Sequence, residues 1–589
     1  MITTLLHDNP DREIRLTNGD TTTTLELARN WQGNCCRLSL TNNGPDTQRI
    51  GEVVAFRCDM PYPADTPFYG EGYNMLSQYR GTLSSFRCIT NLSDAGHYKL
   101  PQKDGFFTVY NLLALYPKTH DDAVLAFSSC RRFNGSFRFN PDRLEVVLDC
   151  EGIEIASGET LPLEELFLET GDSAEQLLQQ LGERIADNHP RPPYPAPPCG
   201  WSSWSCYGRA VTEKDIFDNL DCIRGEFPNL KFIQIDDGYQ PHMGDWLVKN
   251  PDFSADIQSL CCKIKDAGFE PAIWVAPFIA SEGSELLRDH PDWFVKGDDG
   301  QPLCAETVTF RGWVEAPWYM VDGTHPGAQD YIRNVFRTMR EEWHCRYFKL
   351  DANTWGGLPF GHRDEPNTTC VEAYRAGMQA LLEGAGEGSF VLGCNAPMWP
   401  SIGTVHGMRV TNDIKYNWRC IQGLAEQGFP RNWQNQKLWI NDPDNLILCN
   451  HEQIFVGFSR TDTDVSDDEF SFHAAYILAS GGMILAGDRM MALNDDHKRI
   501  LDKLAPPSGI AAIFDDSSYE VGRIKRDDDM LLCLFNWSDR VTQSCAPLDG
   551  TYDLADYWTD TRLADSVTRV PMLTLPPHSA RVLACTRAG

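Results

Sequence analysis

A chain of 589 residues is too long for one hydrophobic core, and at roughly 100–200 residues per unit it divides into three or four. An apolar fraction of 42% and a charged fraction of 23% are globular values, and no run approaches the roughly 18–20 apolar residues that a membrane span needs. A net charge of −31 repels nucleic acid and anionic lipid surfaces, which leaves a neutral or cationic small molecule as the expected partner.

The opening MITTLLHDNPDREIRL has no basic region, apolar stretch or small-residue cleavage site, so the sequence reads as cytoplasmic. Twenty cysteines are scattered along the chain and include the adjacent pairs Cys35-Cys36 and Cys261-Cys262, which suit no disulfide framework. With no CxxC pair and no histidine cluster at zinc spacing, the expectation is reduced, mostly buried thiols, no metal and no other cofactor.

Up to about residue 185, alternating runs at 22–27, 36–40, 51–57, 106–113, 123–128, 136–140 and 144–148 are separated by Asn, Asp, Gly and Pro turns. This pattern predicts a large antiparallel β-sandwich. Residues 173–186 have a helical period, and the following HPRPPYPAPPCG cannot be helical, which marks a boundary. Beyond it, apolar strands at 200–204, 232–236, 272–276, 347–351, 390–394, 408–412, 438–441 and 483–486 alternate with amphipathic helices, the pattern of a (β/α)8 barrel. From about 505 the chain is strand-like again, at 518–525, 530–537, 550–553 and 579–586, and reads as a small β-sandwich. The expected units are therefore 1–190, 191–504 and 505–589.

The barrel strands run into Trp204, Asp236-Asp237, Trp274, Asp351, Cys394-Asn395, Asp413, Asp442 and Asp488 at their C-terminal ends, the end where such barrels carry their active sites. In Tyr347-Phe-Lys-Leu-Asp351 the period of two sends Lys349 and Asp351 to the same side, into the mouth. A lysine so placed is expected to lower the pKa of Asp351 and keep it ionised, as a nucleophile must be, although a buried ion pair that only braces the barrel fits this strand too. Two strands later Asp413 supplies a second carboxylate, and paired carboxylates about one sugar are the machinery of glycosidic cleavage. Helix capping explains one strand-end aspartate well and a ring of them poorly. Asp236, Asp237, Asp442 and Asp444 read as further acceptors for the hydroxyls of a neutral polyol. A divalent cation is the competing reading of so many acids, but Trp204, Trp274 and Lys349 intrude among them without compact ligand spacing.

Eight strings, GWSSW (200–204), FIQIDDGYQPHMGDWLV (232–248), AIWVAPF (272–278), HPDWFVK (290–296), RYFKLDAN (346–353), FVLGCNAP (390–397), GMRVTND (407–413) and LWINDPD (438–444), resemble those of the α-galactosidases of glycoside hydrolase family 36, in order and spacing. The resemblance implies an N-terminal β-supersandwich, a (β/α)8 barrel and a C-terminal antiparallel β-sandwich, with release of terminal α-galactose and net retention. Carried over by motif, it implies Asp351 as nucleophile and Asp413 as acid/base. Asp236, Asp237 and Lys349 would hold the axial 4-hydroxyl side, Trp204 and Trp274 would wall the pocket, and Cys394 and Arg409 would lie near the 2-hydroxyl and the acid/base. It also implies an α-galactoside or oligosaccharide substrate, no nucleic-acid or membrane partner, and assembly as a homo-oligomer.

Two departures stand out. The family brings a tryptophan from its N-terminal domain over the sugar in a Gln-Ser-Trp context, whereas the nearest match here is Gly70-Glu-Gly-Tyr73-Asn-Met-Leu-Ser77, which makes Tyr73 the candidate lid. Asn395 stands after Cys394 where the family often has a small residue, which keeps α-N-acetylgalactosaminide as an alternative substrate. A galactosyl transferase resembling raffinose synthases and a non-catalytic carbohydrate-binding barrel are the other readings.

Overall fold

The computed structural model describes residues 2–8, 11–90, 92–251, 253, 255–450, 465–527 and 529–588. The N-terminal part is two antiparallel sheets face to face. One has five strands in the order Glu13–Leu16, Gln48–Asp59, Arg143–Ile155, Asn134–Phe139, Phe107–Tyr110. The other has eight, in the order Leu25–Gln32, Cys35–Asn42, Thr160–Gly171, Asp122–Phe127, Leu112–Leu115, Pro67–Glu71, Gln78–Thr82, Ser85–Cys88. The run expected as one strand at 106–113 is two, because Asn111 takes a φ of 62° and passes the chain from one sheet to the other. Asn tolerates that left-handed region better than most residues, and its side-chain amide donates across to Asn134 at 2.9 Å.

Why the strand Asp122–Phe127 is apolar on both faces follows from its surroundings. Leu125 and Phe127 enter the core between the two sheets, while Val124 and Ala126 face the opposite way into the cluster shared with the barrel. A helix Ala174–Asn188, starting after Ser173, then buries Leu177, Leu178, Leu181 and Ile185 and delivers the chain to the barrel.

The barrel has eight parallel strands: β1 (Cys199–Ser202), β2 (Phe232–Ile235), β3 (Glu270–Val275), β4 (Tyr347–Leu350), β5 (Phe390–Gly393), β6 (Gly407–Arg409), β7 (Ile440–Asp442) and β8 (Ile484–Ala486). β8 pairs with β1, and the seam between β7 and β8 closes through Met483 N–H on the Asn441 carbonyl at 2.9 Å and a bridge between Leu446 and Ala486. Inward side chains form layers. Phe232, Ala272, Tyr347, Phe390, Ile440 and Leu485 make an apolar plug. Two residues further along their strands, the same faces present Gln234, Trp274, Lys349 and Asp442, so the polar layer sits directly above the plug.

The C-terminal sheet has the order Ile513–Phe514, Val521–Lys525, Asp529–Asn536, Ser579–Arg587, Pro547–Asp556, Arg562–Arg569. Its central strand repeats the two-faced design, with Leu532 and Leu534 in the sheet's own core and Leu531, Cys533 and Phe535 in the cluster shared with the barrel. Arg562–Arg569 escaped sequence reading because none of its residues is buried. All twenty cysteines are free and most are buried. Among the described residues no helix is long and apolar enough to cross a membrane.

Candidate active site

The polar layer opens into a cavity of about 770 Å³ at the C-terminal ends of the strands. On one side stands an ion pair built from two strands. Lys349 Nζ donates to Asp236 Oδ2 at 2.9 Å, and Gln234, two residues before Asp236 on the same face, donates to the same oxygen at 2.5 Å. Burial opposes the charge on Lys349, but Asp236 outweighs it and holds the lysine protonated. Asp237 also reaches the cavity. β2 stops at Ile235 and Gly238 turns the chain at a φ of 128°, so the two adjacent aspartates do not diverge as they would along a continuing strand. Asp237 Oδ1 accepts from Gln240 at 2.8 Å and lies 3.3 Å from Arg209 Nε, while Oδ2 is buried without a hydrogen-bond partner. Burial pushes this carboxyl up to about 7, the Arg209 charge offsetting only part of the effect.

Asp351, one residue past β4, accepts from Trp274 Nε1 at 3.1 Å and from the Ala352 N–H at 2.7 Å, one bond to each oxygen. The remaining lone pairs of both oxygens are left for a ligand. Asp413, in the loop after β6, receives Arg409 Nη1 at 2.8 Å and a hydrogen bond from Trp204, and its side chain is 45% exposed. Arg409 itself is buried and shared among three acids, with Nε 3.2 Å from Asp442 and Nη2 2.7 Å from Asp444. The two acids thus have opposite surroundings. Burial pushes Asp351 up to about 6, the Lys349 charge countering it in part and the Asp413 charge adding to it. Burial acts on Asp413 in the same direction, but Arg409 and Lys349 outweigh it and hold that carboxyl below its usual range.

Nine of the ten expected site residues, Trp204, Asp236, Asp237, Trp274, Lys349, Asp351, Cys394, Arg409 and Asp413, line this one cavity. Tyr73 does not. Its ring is buried against Tyr110, its hydroxyl donates to the Gly357 carbonyl, and the chain places Met75 and Leu76 at the cavity instead. The Tyr73 N–H is drawn away by the buried Asp94 carboxylate at 3.0 Å, which fixes that orientation. Three further expectations are corrected. Lys349 pairs with Asp236 rather than with Asp351, and although its charge does act to lower Asp351 as expected, burial outweighs it and that carboxyl is raised. Asp442 and Asp444 are spent on Arg409, and Asp488 is buried accepting the Leu448 N–H at 2.7 Å, so none of the three lines the cavity. Asn395 does line it, with Oδ1 already accepting from Asn74 at 2.8 Å and Tyr98 at 2.7 Å. Sequence reading missed Gln234, whose inward register on β2 was available as a signal, and Arg209, for which there was none.

The structure is a parallel eight-stranded barrel with two carboxylates, an acid–lysine pair and tryptophans around one mouth, and paired carboxylates about one site are what glycosidic cleavage requires. Residues 232–383, which lie within the barrel, match the Melibiase family model. It is 28% identical over 160 residues, or 27% of its length, to a mouse myogenesis-regulating glycosidase, of which the match covers 22%. It is 27% identical over 228 residues, or 37% of its length, to a bifunctional α-galactosidase/sucrose kinase of Mediterraneibacter gnavus, of which the match covers 23%. The chain thus aligns with less than a quarter of the length of either curated relative. The whole fold matches that of a family 36 α-galactosidase from Geobacillus stearothermophilus with a TM-score of 0.66 at 13% identity, covering 98% of this chain and 89% of that one.

Proposed function

We propose that this chain is an exo-acting retaining α-galactosidase. The observation that carries the reading is the convergence of Asp351, Asp413 and the Asp236–Lys349 pair on one cavity above the barrel plug. Asp351 attacks the anomeric carbon as a carboxylate while Asp413 gives its proton to the departing glycosidic oxygen, which leaves as an alcohol. Water then enters from the same face, loses a proton to Asp413 and displaces Asp351, restoring both acids and releasing α-galactose. Asp236, Lys349 and the unpaired Asp237 Oδ2 supply acceptors and a donor for the hydroxyls that distinguish galactose from its epimers.

Before substrate binds, the pair holds one proton below about pH 6, and Asp351 has the greater claim to it. Substrate corrects this by removing water from the half-exposed Asp413, which raises its pKa, and by placing an electrophilic carbon against Asp351. The division of the chain at about 190 and 504 belongs to the same proposal, and the free cysteines support a reducing, cytoplasmic location.

A panel of nitrophenyl α- and β-glycosides with galactose, N-acetylgalactosamine and glucose heads tests the reading. Strong preference for the α-galactoside is the expected result. Comparable turnover of the glucoside, or preference for the N-acetylgalactosaminide, would refute the head-group assignment. Product analysis at high acceptor concentration separates hydrolysis from galactosyl transfer.

A further inference from the structure

The cavity has two unlike halves. Besides the carboxylates, the lining includes Leu76, Ile89, Leu92, Phe310 and Trp313, all half-buried, and the buried Met75. These side chains come from the N-terminal sandwich and from the segment before Trp318, so the barrel supplies the sugar chemistry and other segments supply a hydrophobic face. Of the polar residues among them, Thr90 has its hydrogen bonds met within the wall. Thr90 donates its hydroxyl to the Leu76 carbonyl at 2.6 Å and accepts the Leu92 N–H at 3.0 Å. His97 stacks on Phe310 at 4.3 Å, and burial keeps its imidazole toward the neutral form. The cations Lys415 and Arg419 lie at the exposed edge.

The wall is also fixed in place. Tyr73–Met75 is laid against the loop after β5, with the Met75 N–H on the Ala396 carbonyl at 2.9 Å, the Met398 N–H on the Tyr73 carbonyl at 2.8 Å, and Asn74 Nδ2 on Asn395 Oδ1 at 2.8 Å. On the other side Thr309 donates to the Tyr98 carbonyl at 3.0 Å, and Trp313 meets Trp355 edge-on at 6.1 Å. A pyranose seated between Asp351 and Asp413 leaves much of the 770 Å³ over, and its leaving group has to lie in that remainder. A second sugar there would turn hydroxyls toward the apolar side chains of Leu76, Ile89 and Leu92 and lose their hydrogen bonds to water without replacement. An alkyl or aryl group loses nothing and is drawn out of water.

Resting on the α-galactosidase reading, we propose that the aglycone is hydrophobic, an alkyl, acyl-chain or aryl alcohol rather than a sugar, and that Leu76 and Ile89 set this preference. The test compares kcat/KM for methyl, butyl and octyl α-D-galactopyranoside, the last below its micelle concentration, with that for melibiose. Octyl over methyl should exceed about tenfold, since even one methylene in an apolar pocket is worth about that much, and octyl should exceed melibiose. In Leu76→Ser and Ile89→Ser the octyl-to-methyl ratio should fall about tenfold. Both side chains are half-buried, and Leu76→Met, which keeps the apolar surface, should hold the ratio if the serine variant fails to fold. Melibiose cleaved as well as octyl galactoside, or ratios indifferent to both serine substitutions, would overturn the aglycone assignment alone and leave the wall to a protein partner. No turnover of any α-galactoside would overturn the α-galactosidase reading and this proposal with it.

Discussion

Replacing Asp413 by alanine separates protonation of the leaving group from everything else the site does. The side chain is 45% exposed, and Arg409 keeps Asp442 and Asp444 when Asp413 is gone, so no charge is left buried without a partner. The stability cost should then be that of an exposed pair, about 0–1 kcal/mol, and a melting curve should barely move. The kinetic cost should be large and selective. A positioned general acid contributes roughly 10²–10⁴-fold, so kcat/KM for an alkyl α-galactoside should fall by about that factor. A dinitrophenyl α-galactoside leaves without a proton and should lose about tenfold or less in its first step. Breakdown of the glycosyl-enzyme then becomes slow, and azide should speed it, entering from the face that water normally takes and giving the α-galactosyl azide. The assay is the pair of rates plus proton NMR of the azide. An equal loss on both leaving groups would refute the role given to Asp413, and a β-azide from this variant would mean that the two aspartates are exchanged.

Because the pair carries its proton only below about pH 6, kcat/KM should fall on the alkaline side with an apparent pKa near 6, and a profile flat to pH 8 would contradict the shift at Asp351. Asp237 has its carboxyl raised to about 7, so the folded state holds a proton that the unfolded state releases near 4, and stability from this group is lost as pH rises through 7. Asp237→Asn should therefore gain in melting temperature relative to the parent between pH 4.5 and pH 8, and a constant difference would show that Asp237 is not the buried acid described. Glu71 and Arg431 are both fully buried and join the sandwich to the barrel, with Nη2 2.6 Å from Oε2. Glu71→Ala leaves the guanidinium unpaired and should cost about 3–5 kcal/mol, seen in calorimetry as a fall of several degrees, against which a shift under one degree would argue.

Much of this molecule could be read along the chain. The eight barrel strands follow from short apolar runs alternating with amphipathic helices, and the candidate acids follow from where those runs end, because a strand's period and the polarity of a barrel's mouth are local and repetitive. Lys349 and Asp351 share a face for the same reason, and both reach the cavity. What the chain does not carry is the identity of each group's partner. Asp351, Asp442 and Asp444 look alike as strand-end aspartates, yet Arg409 takes two of them, and the lysine two residues from Asp351 turns to Asp236, 113 positions away. Charges choose partners by distance in space, and the energy of each choice depends on burial that no single segment sets. The same holds for the hydrophobic wall. Leu76, Ile89, Leu92, Phe310 and Trp313 follow no common period, and Tyr73 rather than Leu76 looked the better lid until the Asp94 carboxylate turned its backbone away. The sequence alone determines which elements form and which of their ends are polar, since those depend on neighbours a few residues apart. Which of those ends meet, and with what charge, is decided only when the sandwich closes over the barrel and water is excluded from the space between them.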